Sequence, residues 1–216
     1  MAKIAPSILS ADFANLERDI HNIEDNGADW VHVDVMGGNF VPNITLGIPV
    51  VQAIRPVTDL PLDVHLMIDR PIRYVEQFVN AGADWLTIHV EADQPQNTLE
   101  CLDKIHALGC KAAISLKPKP PAEAAIPYLP KCDMILVMPV EPGFGGQKFM
   151  ADMMPKIKKL RQLLDEVNPG CIIEVDGGVD ANTHAVCKEN GAEVLVAGSA
   201  YFKAADRAAF VKTIQA

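Results

Sequence analysis

The alternation of two kinds of segment constrains this chain most. Short apolar runs rich in β-branched residues recur eight times, and most are followed by a longer stretch whose apolar positions return at helical spacing. Such βα alternation implies a parallel sheet with helices packed outside it. Barrels of eight βα units begin at about 200 residues, so a chain of 216 residues has room for one such unit and little else. The expectation is an α/β fold, a single (β/α)8 TIM barrel over residues 1–216, forming one catalytic domain.

The eight predicted strands are Lys3–Leu9, Trp30–Val35, Leu62–Met67, Trp85–Val90, Lys111–Leu116, Met134–Met138, Ile172–Asp176 and Val194–Ala197. Helical spacing marks Asn15–Asn26, Ile72–Ala81, Thr98–Leu108 and Met153–Val167, the last presenting one apolar face. Three phrases, NGADWVHV, AGADWLTI and NGAEVLVA, repeat one device: a glycine just past a helix, then a buried strand. No Pro/Ser-rich linker divides the chain, and the P-K-P-P cluster at Pro118–Pro121 reads as a rigid loop after the fifth strand.

The formal charge of −9, without a run of five like charges, opposes general binding to nucleic acid or anionic membrane. An anionic ligand would have to be held locally. The five cysteines are odd in number, scattered and free of any C-x-x-C pair, which argues against a disulfide framework and a thiolate metal cage and fits a reducing cytoplasm. The first residues lack the apolar core of a signal peptide, and no stretch approaches the ~20 apolar residues that span a bilayer.

Active sites of such barrels lie at the carboxyl ends of the strands, so polar residues there carry the functional reading. His32 and Asp34 stand two apart in W-V-H-V-D-V-M, and a period of two sends both to one face, the barrel interior. His65 occupies the matching end of the third strand and Asp176 ends the seventh. Two imidazoles and two carboxylates converging there suit one divalent cation, Zn²⁺, Fe²⁺, Mn²⁺ or Co²⁺, whose charge would make two buried aspartates tolerable. His89 also ends a strand and reads as structural.

Glycines follow the late strands: Gly143, Gly145 and Gly146 around Phe144, then Gly177 and Gly178, then Gly198 with Ser199. Glycine lets backbone N–H groups approach an anion, and a phosphate site after strands seven and eight recurs in these barrels. Met36, Met67 and Met138 lie at or just beyond strand ends, where they could form an adaptable apolar cap that excludes water.

The strings A-P-S-I-L-S-A-D-F, H-V-D-V-M, F-V-P-N, D-V-H-L-M, E-P-G-F-G-G-Q-K-F, E-V-D-G-G-V and V-A-G-S-A, in this order over nearly the whole chain, resemble the ribulose-phosphate 3-epimerases. The resemblance implies a barrel of the ribulose-phosphate-binding type and an isomerase of the pentose phosphate pathway, converting D-ribulose 5-phosphate to D-xylulose 5-phosphate without an organic cofactor. It implies His32, Asp34, His65 and Asp176 as metal ligands, with Asp34 and Asp176 also the proton-transfer pair. It further implies Ser7 and His65 on the sugar, Gly143–Gly146 in a closing loop, phosphate held by Gly177, Gly178, Gly198 and Ser199, and a homo-oligomer. Two departures stand out: Met36-Gly37-Gly38-Asn39 where the family usually reads V-M-D-G, and Pro139 and Glu141 where Ser and Asn are common. The alternatives are an epimerase of a hexulose 6-phosphate such as allulose 6-phosphate, or a non-catalytic sugar-phosphate-binding barrel. A phosphate-binding decarboxylase or synthase would need a lysine amid aspartates, D-x-K-x-x-D, where this chain reads Asp34-Val35-Met36.

Overall fold

The computed structural model describes residues 1–216. Its strands are β1 (Lys3–Pro6), β2 (Val31–Met36), β3 (Leu62–Met67), β4 (Trp85–His89), β5 (Lys111–Leu116), β6 (Met134–Val137), β7 (Ile172–Asp176) and β8 (Val194–Ala197). They form one sheet in the order β1-β8-β7-β6-β5-β4-β3-β2, and each adjacent pair is parallel. A parallel bridge between Ser7 and His32 closes the ring between β1 and β2, joined by the Asp29 and Trp30 N–H groups, which donate to the Ile4 carbonyl at 3.1 and 3.3 Å. Closure leaves no free strand edge.

The helices are α1 (Leu16–Asp25), α2 (Ile48–Ile54), α3 (Val75–Ala81), α4 (Pro95–Ala107), α5 (Met154–Val167), α6 (His184–Glu189), α7 (Ser199–Phe202) and α8 (Arg207–Gln215). Gly27, Gly82 and Gly191 follow α1, α3 and α6 with φ of +79°, +115° and +108°, so the repeated glycine phrase does end helices in the left-handed conformation. Between β5 and β6 two 3₁₀ turns, Ala122–Ala125 and Leu129–Lys131, stand in place of an α-helix. Five prolines from Pro118 to Pro130 remove the amide donors that an α-helix there would need.

The first strand is shorter than its apolar pattern suggests. β1 stops at Pro6, because the Ser7 hydroxyl accepts from the Leu9 N–H at 3.4 Å and caps a 3₁₀ turn over Ile8–Ser10. Helix α2 breaks the expected pattern in the other direction, since Pro49 in its first turn disguises a short helical segment.

Alternation along each strand sorts side chains between two cores. The outward set packs against the helices in one continuous cluster, with Val33, Leu66, Ile88, Ile114, Ile135 and Leu195 meeting residues such as Phe78, Leu102 and Leu160. The inward set is layered. At the amino ends of the strands it is apolar, with Ala5, Ala113, Met134 and Val194 around a stacked Trp30–Trp85 pair whose centroids are 4.9 Å apart. The middle layer is polar and fully buried, carrying His32, Asp63, Thr87, Ser115 and Glu174. At the carboxyl ends sit Asp34, His65, His89 and Asp176 under Met36, Met67 and Met138. The polar burial is thus placed where the fold puts its chemistry.

Candidate active site

Register sets the centre. Asp34 on β2 is the direct cross-strand partner of His65 on β3, and Asp176 enters from β7, across β1 and β8. His65 Nδ1 lies 3.2 Å from Asp34 Oδ1 and 3.6 Å from Asp176 Oδ2; His32 Nε2 lies 3.3 and 3.9 Å from the same two oxygens. All four sequence-chosen residues therefore meet, with one ligand atom from each within 4.8 Å of every other.

Donors at about 2.1 Å from a tetrahedral cation stand roughly 3.4 Å apart, as its geometry requires. The observed imidazole–carboxylate separations of 3.2–3.9 Å bracket that spacing. The donor set, two buried imidazole nitrogens and two carboxylate oxygens at the floor of a cleft, fits a divalent transition cation.

The electrostatics tell the same story. Burial opposes protonation of His32, yet the Asp34 and Asp63 carboxylates raise its pKa well above the ordinary imidazole value. His65 is also raised, against its burial, by Asp176 and Asp34. Burial pushes Asp34 the other way, but the two rings hold its carboxyl far below the usual carboxylate range. Carboxylates that draw positive charge this strongly into a dry interior suit a cation. Asp34 also accepts a short hydrogen bond from the Ser7 hydroxyl at 2.5 Å, which fixes its second oxygen.

Outer partners hold the rings. His32 Nδ1 sits 2.5 Å from Asp63 Oδ2, leaving Nε2 to face the centre. Glu174 lies behind Asp63 with neither carboxylate oxygen hydrogen-bonded, and burial followed by the Asp63 charge raises its pKa well above the ordinary value. His89, read from sequence as structural, stands with its Nε2 2.9 Å from His65 Nε2. Burial depresses its pKa to about 4. Asp63, His89 and Glu174 carried a usable signal, since each lies on the inward alternation of a strand already assigned, but a strand's period says nothing about who meets whom across the barrel.

Above the centre opens a cleft of about 470 Å³, within the range of small-molecule sites. Asp34 and Asp176 reach its floor, while His32 and His65 are fully buried and do not line it. Met36, Met67 and Met138 are buried side chains on its wall. Met36 and Met67 pack with Val41, and Met138 packs with Leu136 and Val140, so the three methionines sit in two separate groups.

The cleft is also lined by Ser7, by Gly143–Gly146 with Phe144, and by Gly177, Gly178, Gly198 and Ser199. The Gly178 and Ser199 N–H groups donate to no protein acceptor. Gly177 has φ +127°, and a Cβ there would overlap the Val140 side chain; at Gly198 a Cβ would stand 2.9 Å from Ser10 Oγ. Ser10, Gln147, Lys148 and Thr183 also line the cleft and lay outside the residues chosen from sequence. Gly37 lies apart from it, pairing its backbone with Ile44 in an antiparallel bridge.

A family profile described as "Ribulose-phosphate 3 epimerase family" matches residues 3–202. The ribulose-phosphate 3-epimerase of Bacillus subtilis is 48% identical over 216 residues, 100% of this chain and 99% of its own. That of Synechocystis is 51% identical over 201 residues, 93% and 87% of the two chains, and the chloroplastic ribulose-5-phosphate-3-epimerase of Arabidopsis thaliana is 49% identical over 214 residues, 99% and 76%. Among solved structures, a 3-hexulose-6-phosphate synthase superposes with a TM-score of 0.71 at 21% identity, covering 100% of this chain and 98% of the other. A 3-keto-L-gulonate-6-phosphate decarboxylase from Vibrio cholerae superposes with a TM-score of 0.73 at 14% identity, covering 100% and 96%. At those identities the structural likeness shows the shared barrel alone.

Proposed function

The chain belongs to the ribulose-phosphate 3-epimerase family, and on that footing we propose that it interconverts D-ribulose 5-phosphate and D-xylulose 5-phosphate by moving a proton at C3 between Asp34 and Asp176. The observation that carries this reading is the meeting of two carboxylates with two imidazoles buried beneath them, the carboxylates on the floor of a cleft whose glycine-rich wall presents bare backbone N–H groups.

The chemistry follows from that placement. A hydrogen beside a ketone is too weakly acidic for a carboxylate acting alone, and inversion needs an acid or base on each face of the planar enediolate. Asp34 and Asp176 come from β2 and β7 and face each other over the floor, so one accepts the C3 proton and the other delivers one to the opposite face, with the roles exchanged in reverse. His32, Asp34, His65 and Asp176 would hold one Zn²⁺, Fe²⁺, Mn²⁺ or Co²⁺, which when bound supplies electrophilic stabilisation to charge developing on the C2 and C3 oxygens. The Ser7 hydroxyl orients Asp34 and faces the sugar, and His65 supports the floor from beneath through Asp34. Gly177, Gly178, Gly198 and Ser199 hold the phosphate through their N–H groups, Gly143–Gly146 with Phe144 cover it, and the three methionines keep water from the enediolate.

In this reading the whole of residues 1–216 is one catalytic barrel working as a cytoplasmic homo-oligomer on a free sugar phosphate. Five unpaired, buried cysteines suit a reducing compartment, and no helix is long and apolar enough to cross a membrane. Offering D-ribulose 5-phosphate and D-allulose 6-phosphate side by side to the metal-loaded protein tests the assignment. The expected result is xylulose 5-phosphate with a strong pentulose preference. Faster conversion of the hexulose would transfer the assignment to that substrate, and binding of either sugar without conversion would leave a sugar-phosphate-binding barrel.

A further inference from the structure

Behind the centre a row of hydrogen bonds runs outward from His65 to the rim. His65 Nδ1 faces Asp34 and Asp176, and its Nε2 stands 2.9 Å from His89 Nε2. His89 Nδ1 in turn stands 3.3 Å from Glu91 Oε2, and Glu91 Oε1 accepts the Lys117 backbone N–H at 2.9 Å. The Phe40 ring lies 4.8 Å from the His89 ring and the Lys117 ammonium lies 3.8 Å from the Phe40 centroid, so the row is shielded although Glu91 reaches the surface.

Two facing ring nitrogens at 2.9 Å form a hydrogen bond only if one carries hydrogen and the other a lone pair. Glu91 decides which. Its carboxylate only accepts, so His89 must place its N–H at Nδ1 and its lone pair at Nε2. That lone pair accepts from His65 Nε2–H, and His65 is left with the Nδ1 lone pair aimed at the centre. Resting on the metal-centre reading above, we propose that Glu91 and His89 are positioning residues that set the tautomer of His65 from the rim of the barrel, so that Nδ1 is presented to the cation. His32 achieves the same end in one step through Asp63, whereas His65 uses a two-residue relay.

The isosteric change Glu91→Gln puts the relay to a sharp test. The Lys117 N–H requires an oxygen, so the carbonyl of the substituted side chain takes that side and its amide nitrogen faces His89 Nδ1. A donor there forces His89 to carry its hydrogen on Nε2, removes the acceptor from His65 Nε2, and puts the His65 hydrogen on Nδ1, where the cation belongs. Glu91→Ala removes the acceptor without supplying a wrong donor. The relay therefore requires an unusual order: the isostere does more harm than the truncation.

The measurement is the nitrogen NMR of histidine rings in ¹⁵N-labelled wild type, Glu91→Gln and Glu91→Ala, metal-free and Zn²⁺-loaded, together with Co²⁺ and Zn²⁺ affinity by chelator competition. Expected are a His89 Nδ1–H tautomer in wild type, an Nε2–H tautomer in Glu91→Gln, and metal affinity lowered at least about tenfold in Glu91→Gln and less in Glu91→Ala. An unchanged His89 tautomer in Glu91→Gln, or equal affinities in all three proteins, overturns the relay and leaves the epimerase reading intact. Wild type that takes up neither cation overturns the metal centre, while the His89 signal reports on the relay separately.

Discussion

At the residue scale the centre asks for specific atoms rather than residue types. Asp176→Asn keeps the size and neighbours of the side chain but removes the carboxylate proposed to exchange a proton, so turnover should fall by roughly 10³-fold or more while the metal-free proteins, wild type and variant, melt at nearly the same temperature. Near-normal activity in a steady-state assay would remove Asp176 from the mechanism. Gly177→Ala tests the backbone instead: a side chain at φ +127° with its Cβ pressed into Val140 should cost about 1–3 kcal/mol, read as a lower midpoint in urea. Asp34, His65, Asp176 and the late-strand glycines were legible because each sits at or just past the carboxyl end of a strand whose alternation is plain, and His32 because it shares the inward face of Asp34 two positions earlier. His89 was not. Its role depends on a ring 24 positions away, and no spacing within Trp85–His89 reveals that neighbour.

At the scale of elements, hydrophobic periodicity located the strands well where a strand is flanked by helix and glycine. β3, β5, β7 and β8 have the bounds that the pattern predicts. It failed where backbone chemistry overrides pattern. Ser7 looks like a strand residue and caps a turn. Helix α5 illustrates the part that periodicity reads well, its Ile157, Leu160 and Leu164 facing the barrel. Leu160 is fully buried in the outer core, so Leu160→Ala should destabilise the protein by about 2–5 kcal/mol in denaturant unfolding while kcat per folded molecule stays unchanged. A stability loss below about 1 kcal/mol would show that the helix layer repacks freely around the cavity.

At the scale of the whole molecule, the barrel brings β2, β3 and β7 together around one point, which no local segment could do. The ring is the reason that Asp34, Asp176 and two buried histidines meet, and a cation held among them would tie metal to stability. Removing metal with a chelator should abolish turnover and lower the melting temperature, and adding Zn²⁺ or Co²⁺ should restore both, the stabilisation growing as RT ln(1 + [metal]/Kd). Full activity after exhaustive chelation, with no metal left by elemental analysis, would contradict the assignment of the four ligands. The net charge of −9 is no obstacle to a phosphorylated substrate if, as proposed, the anion is met by backbone N–H groups around Gly178 and Ser199. The central claim is that Asp34 and Asp176 move the C3 proton between opposite faces of the sugar. Epimerisation of D-ribulose 5-phosphate in deuterated water tests it most directly: the account requires xylulose 5-phosphate carrying solvent deuterium at C3, and product that keeps its original hydrogen there would contradict a proton exchanged through two separate carboxylates.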